Sequence, residues 1–344
     1  MAEKPGFAAR STDAGRPAPR VSVVIACYNH AGFVGECLAS VLAQTFAEWE
    51  MVVTDDGSAD DTAAAVRAFA AAHPQARIDL VALPENRGAC IALNHGIRRA
   101  RGEFIAILNS DDAFVPHKLA RQVAFLDAHP QVGAVFGWPE LIDERGLPFD
   151  DPSHKDTAVF RQPNRPRQEW LRHFFDHGNA LCHPTVLIRR RCYDEVGFYD
   201  PRLAQVPDLD LWIRLAMKHE IHVLDEPLVR FRILDAQRNA SAARPEVVIR
   251  DAWERRHVLD RFLAITAQDF AFAFPEYAGR AELRQVLLAQ RALGLAYPFY
   301  LQFGLDTLYR QLAADGSGPE YAAFIRLTGA TDPYRLFPGG ADTP

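Results

Sequence analysis

The sequence predicts an α/β protein with a mostly parallel central sheet flanked by helices and a helical C-terminal extension. Three observations carry that expectation. Between residues 21 and 138, short β-branched runs alternate with segments whose apolar residues recur at helical spacing. The runs are apolar almost without interruption, as strands covered on both faces must be. Beyond residue 246 the helical spacing continues while the strand pattern stops.

"VSVVIACYN" (21–29) is the first strand, and Val34, Leu38, Val41 and Leu42 then mark a helix at i, i+4, i+7 and i+8. "WEMVVTDD" (49–56) is the second strand. It ends in "DDGSADDT", whose Ser, Asp and Thr can cap the next helix, which carries Val66 and Phe69 and stops near His73 and Pro74. "RIDLVAL" (77–83) is the third strand, followed by a helix through Leu93, Ile97 and Ala100. "GEFIAILNSDD" (102–112) is the fourth. Pro116 opens a helix with Leu119, Val123 and Leu126, and "VGAVFGW" (132–138) is the fifth strand.

Prolines 139, 148, 152, 163 and 166 then break the pattern, so residues 139–180 read as a long variable loop around a helix near Glu169–Asp176. "HPTVLIRRR" (183–191) reads as a strand with its arginines at a solvated end. "PDLDLWIRLAMKH" (207–219) reads as an amphipathic helix with Leu211, Leu215 and Met217 inward, and "IHVLDEPLVRFRI" (221–233) as a strand pair or one bent strand. Residues 246–334 read as helices. Residues 1–20 are rich in Pro, Gly, Ala and Arg, have no apolar core of a signal peptide, and are expected to form a disordered tail.

A net charge of -6 over 344 residues exerts no general pull on nucleic acid. Five cysteines without CxxC spacing argue against a disulfide framework or a structural zinc site and for a reducing compartment. No run of eighteen apolar residues occurs. The expected location is therefore cytoplasmic, with peripheral contact at the inner membrane face left open. The aromatic-rich C-terminal helices leave three partners open: the rest of the chain, a second copy, or a membrane surface.

The chemistry lies at strand ends. In a parallel sheet all strands finish at one edge, where open α/β folds bind ligands. The second strand finishes in Asp55 and Asp56, the fourth in Asn109, Asp111 and Asp112. Either cluster alone would serve as a turn or helix cap. Together at one edge, crowded carboxylates suit a hard divalent cation, Mg²⁺ or Mn²⁺, bridging a phosphate. No GxGxxG or GxxxxGK[ST] follows the first strand, which disfavours a dinucleotide-binding dehydrogenase. Tyr28 stands there instead, either stacking on a base or packed as a strand-end aromatic.

The stretch "VSVVIACYNHAGFVGECLASVLAQTFAEWEMVVTDDGSADDT", followed by "ENRGACIALNHGIRRARGEFIAILNSDD", resembles the inverting family 2 glycosyltransferases of GT-A fold. The likeness is dense over about residues 20–140 and thins across 180–240. It implies that Ala26, Tyr28 and Asp56 line the base pocket of a nucleotide-diphosphate sugar, Asp56 accepting from a pyrimidine N3–H, with Arg87 near the base or phosphates. Asp111 and Asp112 would form the DxD-like pair, one toward the ribose and one on the metal. Asp208, in "PDLDLW", matches the catalytic base. The resemblance divides the chain into a tail (1–20), a nucleotide-sugar half (21–138), an acceptor and base half (139–240) and a helical extension (241–344). It implies transfer from a donor, expected to be a UDP-sugar, to a hydroxyl of a saccharide or lipid-linked acceptor, with metal assistance. The simple alternative for Asp208 is a helix cap.

Three positions depart from the family pattern. Asn109 stands where Asp is frequent, Pro207 where Glu is usual, and Leu234 where a metal-binding His occurs in some members, with Asp235 adjacent. They leave two rival readings open: a degenerate sugar-nucleotide-binding scaffold, and a nucleotidyltransferase, which lacks its expected phosphate loop here. His183 reads as a surface or core histidine, with the acceptor site as its rival. Trp138 and Trp212 read as core aromatics, Trp138 also as a border of the acceptor cleft.

Overall fold

The computed structural model describes residues 18–149, 151, 154, 158–234, 244–295 and 297–314. Its strands are β1 (Val21–Cys27), β2 (Trp49–Asp55), β3 (Ile78–Ala82), β4 (Phe104–Asn109), β5 (Ala113–Phe114), β6 (Val132–Ile142), β7 (Leu187–Arg189) and β8 (Glu220–Arg232). The helices are α1 (Val34–Leu42), α2 (Thr62–Ala72), α3 (Ala89–Arg99), α4 (Lys118–Ala128), α5 (Arg167–His177), α6 (Arg190–Val196), α7 (Pro207–Ala216), α8 (Pro245–Leu259), α9 (Ala267–Ala273), α10 (Arg284–Leu295) and α11 (Pro298–Ala314).

One sheet holds all the strands in the order β3-β2-β1-β4-β7-β6-β8-β5. The β3-β2-β1-β4 block is parallel, and so is β6 with β8. The short β7 and β5 pair antiparallel with their neighbours. Alternate residues serve opposite faces, as the pleat requires. Val23, Ile25, Met51, Val53, Ala106 and Leu108 pack with α1, α2 and α4. Val24, Val52, Ile105 and Ile107 pack on the other face with Leu93 and Ile97 of α3. That second core continues without a break through Trp170, Phe175 and Trp212 to Phe262, Phe270, Phe274 and Phe303 of the C-terminal part. Full burial of one such aromatic stabilises by about 1.5–3 kcal/mol. The extension is therefore joined to α5 and α7 by a shared core.

Several boundaries differ from expectation, each for a local reason. The fourth strand stops at Asn109, and Ser110–Asp112 turn the chain into β5. The fifth runs on to Ile142 through Pro139, beyond the predicted end at 138. Proline cannot donate to a ladder, and the pairing with β8 slips in register at that point. Only Leu187–Arg189 of 183–191 is a strand. Pro184 lies in a short 3-10 turn, and α6 begins at Arg190. Arg189 is not at a solvated end: it is buried, and its guanidinium donates to the Val132 and Leu126 carbonyls at 2.9 and 2.6 Å. Residues 315–334, expected to be helical, lie outside the described residues, as does Asp235.

Candidate active site

Register places the acidic ends together. Cys27 of β1 sits opposite Asp55, and Ala26 sits opposite Asn109, so the tips of β2 and β4 flank the end of β1. Ala26 is half-buried on an otherwise buried strand, and Tyr28, just past it, is 45% exposed. The loop that follows contains Asn29 at φ 53°, a left-handed conformation Asn tolerates better than most residues. The turn after β2 holds it. Ser58 Oγ accepts from Asn29 N–H (3.0 Å), Thr62 Oγ1 from His30 N–H (2.8 Å) and Asp60 Oδ2 from Ala31 N–H (3.0 Å).

Asp55 accepts from the Ser58 hydroxyl at 2.6 Å and shapes that turn. Asp56 is buried, and its two oxygens accept the N–H groups of Arg87 (2.9 Å) and Gly88 (2.8 Å). It thereby ties the "ENRG" loop to the strand tip. Each carboxylate oxygen keeps lone-pair capacity for a further donor. The Arg87 side chain is exposed.

The pair in the turn after β4 is asymmetric. Asp112 is buried and accepts from the Arg232 N–H and from the Asn109 side-chain amide, both at 2.8 Å. Burial, then the Asp111 charge, pushes its pKa well above the usual carboxylate range. Asp111 is half-buried, and no other described residue donates to its carboxylate. Burial raises its pKa too, while His30 and Arg232 pull it back. The asparagine at 109 has a physical role here: its amide donates to Asp112, where a third carboxylate would repel. Arg232 is 1% exposed and donates to the Asp111, Asp143 and Glu144 carbonyls (2.7, 3.0 and 3.0 Å) and to Glu36 (2.5 Å).

Among the described residues, no group of three or more His, Cys, Asp and Glu is arranged to hold a metal ion. Leu234 is buried and supplies no ligand. The residues still fit Mg²⁺ or Mn²⁺ in the way such ions bind at phosphate sites, through one or two carboxylates with phosphate oxygens and water completing the shell. Asp111 offers open oxygens, and Asp112 stands beside it.

Asp208 lies in the first turn of α7, after Pro207. It accepts from Asn179 Nδ2 (2.6 Å) and Leu209 N–H (2.8 Å). Burial raises its pKa to about 6, Arg255 draws it down and Asp251 raises it. Direct contacts connect this segment to α3. Asn94 of α3 exchanges hydrogen bonds with the Tyr199 backbone at 2.7 and 3.0 Å, and Cys90 Sγ donates to the Leu203 carbonyl at 3.2 Å. The α3 helix starts at the loop that Asp56 holds, so Asp56 and Asp208 are joined through its first turns. His183 is half-buried, and burial lowers its pKa to about 4, which makes it neutral at pH 7. Its Nε2 shares a 2.8 Å hydrogen bond with Tyr199. Trp212 is fully buried. Trp138 is half-buried and donates to the Gln162 carbonyl at 3.0 Å.

A model of glycosyl transferase family 2 matches residues 22–197. The chain belongs to that family. A Bacillus subtilis relative named as a teichuronic acid biosynthesis glycosyltransferase, TuaG, is 34% identical over 63% of this glycosyltransferase and 80% of its own length. Two further bacterial relatives are spanned over 66% and 67% of their length. Among solved structures, S. aureus TarS 1-349 in complex with UDP-GlcNAc superposes with a TM-score of 0.57 over 89% of each chain at 18% identity. A mannosyltransferase from Pyrobaculum calidifontis in complex with GDP-Man and Mn²⁺ superposes at 0.50, covering 93% and 83% of the two chains at 23% identity. The fold is GT-A-like, with the mostly parallel sheet between helices and the C-terminal helices that the residue pattern predicts.

Sequence reasoning did not single out Arg232, Asn179 or Glu254. A signal existed for the first: an arginine inside the apolar run "LVRFRI" must find partners when buried. Asn179 and Glu254 carried none, because their partners are distant in sequence.

Proposed function

We propose that this glycosyltransferase moves a sugar from a UDP-sugar to a hydroxyl of a saccharide or lipid-linked acceptor with inversion at the anomeric carbon. The observation that carries the reading is the linked pair of carboxylate sites. Acid-tipped β2 and β4 flank Tyr28, and Asp208, its pKa raised to about 6, is tied to them through α3. Tyr28 stacks on the base, Asp56 accepts its N3–H, and Arg87 lies near the base or the phosphates.

The acceptor oxygen attacks the anomeric carbon as its proton passes to the Asp208 carboxylate. The bond from that carbon to the diphosphate oxygen breaks, and its electron pair leaves with the diphosphate. A base with a pKa near working pH suits this transfer. Asn179 and the Leu209 N–H hold the Asp208 carboxylate in place. Asp111 and Asp112 would hold Mg²⁺ or Mn²⁺, which when bound would supply neutralisation of the leaving diphosphate. TuaG, by its name, supports an envelope saccharide as the acceptor class, and the TarS complex supports a UDP-linked donor.

The test is nucleoside diphosphate release, with Mn²⁺, from UDP-glucose, UDP-galactose, UDP-GlcNAc and GDP-mannose, alongside calorimetric binding of UDP. Release from a UDP-sugar, lost in Asp208→Asn, is the expected result. Binding of UDP without release from any donor would sink the transferase reading in favour of a binding protein.

A further inference from the structure

Helix α8 lies beyond residues 22–197, which match the family, yet one of its side chains reaches the segment that carries Asp208. Glu254 is fully buried. Its carboxylate accepts the N–H groups of Ala204 (2.8 and 2.9 Å), Gln205 (2.7 Å) and Val206 (3.1 Å). Arg250, one turn earlier, closes on Oε1 at 2.7 Å. Val206 is the N-cap of α7, and Asp208 follows two residues later.

A buried carboxylate is costly unless its lone pairs are filled. Here one short backbone segment fills most of them, so that segment cannot shift without leaving Glu254 under-satisfied. The grip is repeated nearby. Arg261, in the turn after α8, donates to Asp210 at 2.7 Å and to Asp200 at 3.3 Å. Arg255 comes so close to Gly178 that a Cβ there would meet its Nη1 at 2.6 Å, and the next residue, Asn179, donates to Asp208.

We propose that Glu254 is a positioning residue for transfer: through the 204–206 amides it sets where α7 begins and hence where the Asp208 carboxylate stands. The inference rests on the reading of Asp208 as the base. It assigns the C-terminal extension a part in the chemistry, although Glu254 itself touches no substrate.

The experiment compares Glu254→Gln with Asp306→Asn, which breaks the 2.6 Å bridge from Arg256 of α8 to Asp306 of α11 but leaves the 204–206 amides alone. UDP release from UDP-GlcNAc is followed well below the lowest melting temperature. Because small misplacement of a reacting group is costly, Glu254→Gln is expected to lower kcat about 10- to 100-fold with donor KM within about twofold. Asp306→Asn keeps kcat. Hydrogen exchange at 204–209 quickens in Glu254→Gln and not in Asp306→Asn. If Glu254→Gln does not fold, Glu254→Asp, which keeps the charge one methylene back, is expected to show the same split at smaller size. Placed on Asp208→Asn, Glu254→Gln adds no further loss. Unchanged exchange at 204–209, or a kcat loss no larger than that of Asp306→Asn, overturns the proposal. Full turnover in Asp208→Asn alone overturns the base assignment instead.

Discussion

The two halves of the site are held in different ways. In the half proposed to bind the nucleotide, most contacts join turns at the ends of neighbouring parallel strands: Ser58 with Asn29, Thr62 with His30, Asp56 with Arg87 and Gly88. In the half proposed to carry the base, Asp208 is placed by Asn179 after α5, by α3 through Cys90 and Leu203, and by Glu254 of α8. The first arrangement follows once the parallel sheet forms. The second exists only when the C-terminal core, with Phe262, Phe274 and Phe303, has closed on Trp170 and Trp212. The proposed donor end is thus held mainly within residues 21–138, with Arg232 of β8 as its distant anchor, whereas the proposed base end depends on long-range packing throughout.

If that contrast is right, substitutions in the base half act on kcat and those in the nucleotide half on binding. The largest effect is expected for Asp208→Asn. Loss of a general base costs about 10²–10⁴-fold in kcat, with donor KM nearly unchanged, as steady-state UDP release reads. The same substitution is expected to raise Tm at pH 8. The folded pKa of Asp208, about 6, lies above its unfolded value, so the native state binds the proton more tightly. Between the two values stability falls as pH rises, and removing the charge lifts that penalty. A lower Tm at pH 8 would count against a raised Asp208 pKa.

Next in size is Asp112→Asn, expected to raise the Mn²⁺ concentration for half-maximal activity by about tenfold or more while Tm rises or holds, because burial already disfavours its charge. An unchanged Mn²⁺ titration would break the assignment of the acidic turn. The pH dependence of kcat comes third. Asp208 must be ionised to accept the proton, so kcat should fall as pH drops through about 6 and level off above it. Arg255 and Asp251 of α8 bear electrostatically on this carboxylate, whose charge in turn raises the pKa of Cys90 of α3 and of Tyr199. Arg255→Gln should move the acidic limb to higher pH. The smallest effect on turnover is expected of Tyr28→Ala. Stacking on a base is worth about 1–3 kcal/mol, so UDP affinity by calorimetry should drop roughly 5- to 150-fold with Tm unchanged at this exposed position. A change in kcat alone would erase the distinction between the halves.

Much of this was legible in the chain itself. Alternating β-branched runs and helical spacings specify β1 to β4 with α1 to α4, because burial on two faces demands that pattern. The same reading puts Asp55, Asp56, Asp111 and Asp112 at one edge, since parallel strands share their direction. It failed at Arg189, read as solvated, because an arginine in sequence shows its charge and not the carbonyls of Leu126 and Val132 that surround it. It also could not weigh Asn109, whose amide is explained only by the Asp112 oxygen 2.8 Å away.

What the sequence alone determined was therefore the periodic part of the protein: which segments are buried, and which edge collects the acids. Those are properties of residues within a few positions of one another. Tertiary structure alone decided that Arg232 returns to the acidic turn and that Glu254 grips the backbone before Asp208. Each joins residues 48 to 121 positions apart, and no local pattern records which distant partner satisfies a buried charge.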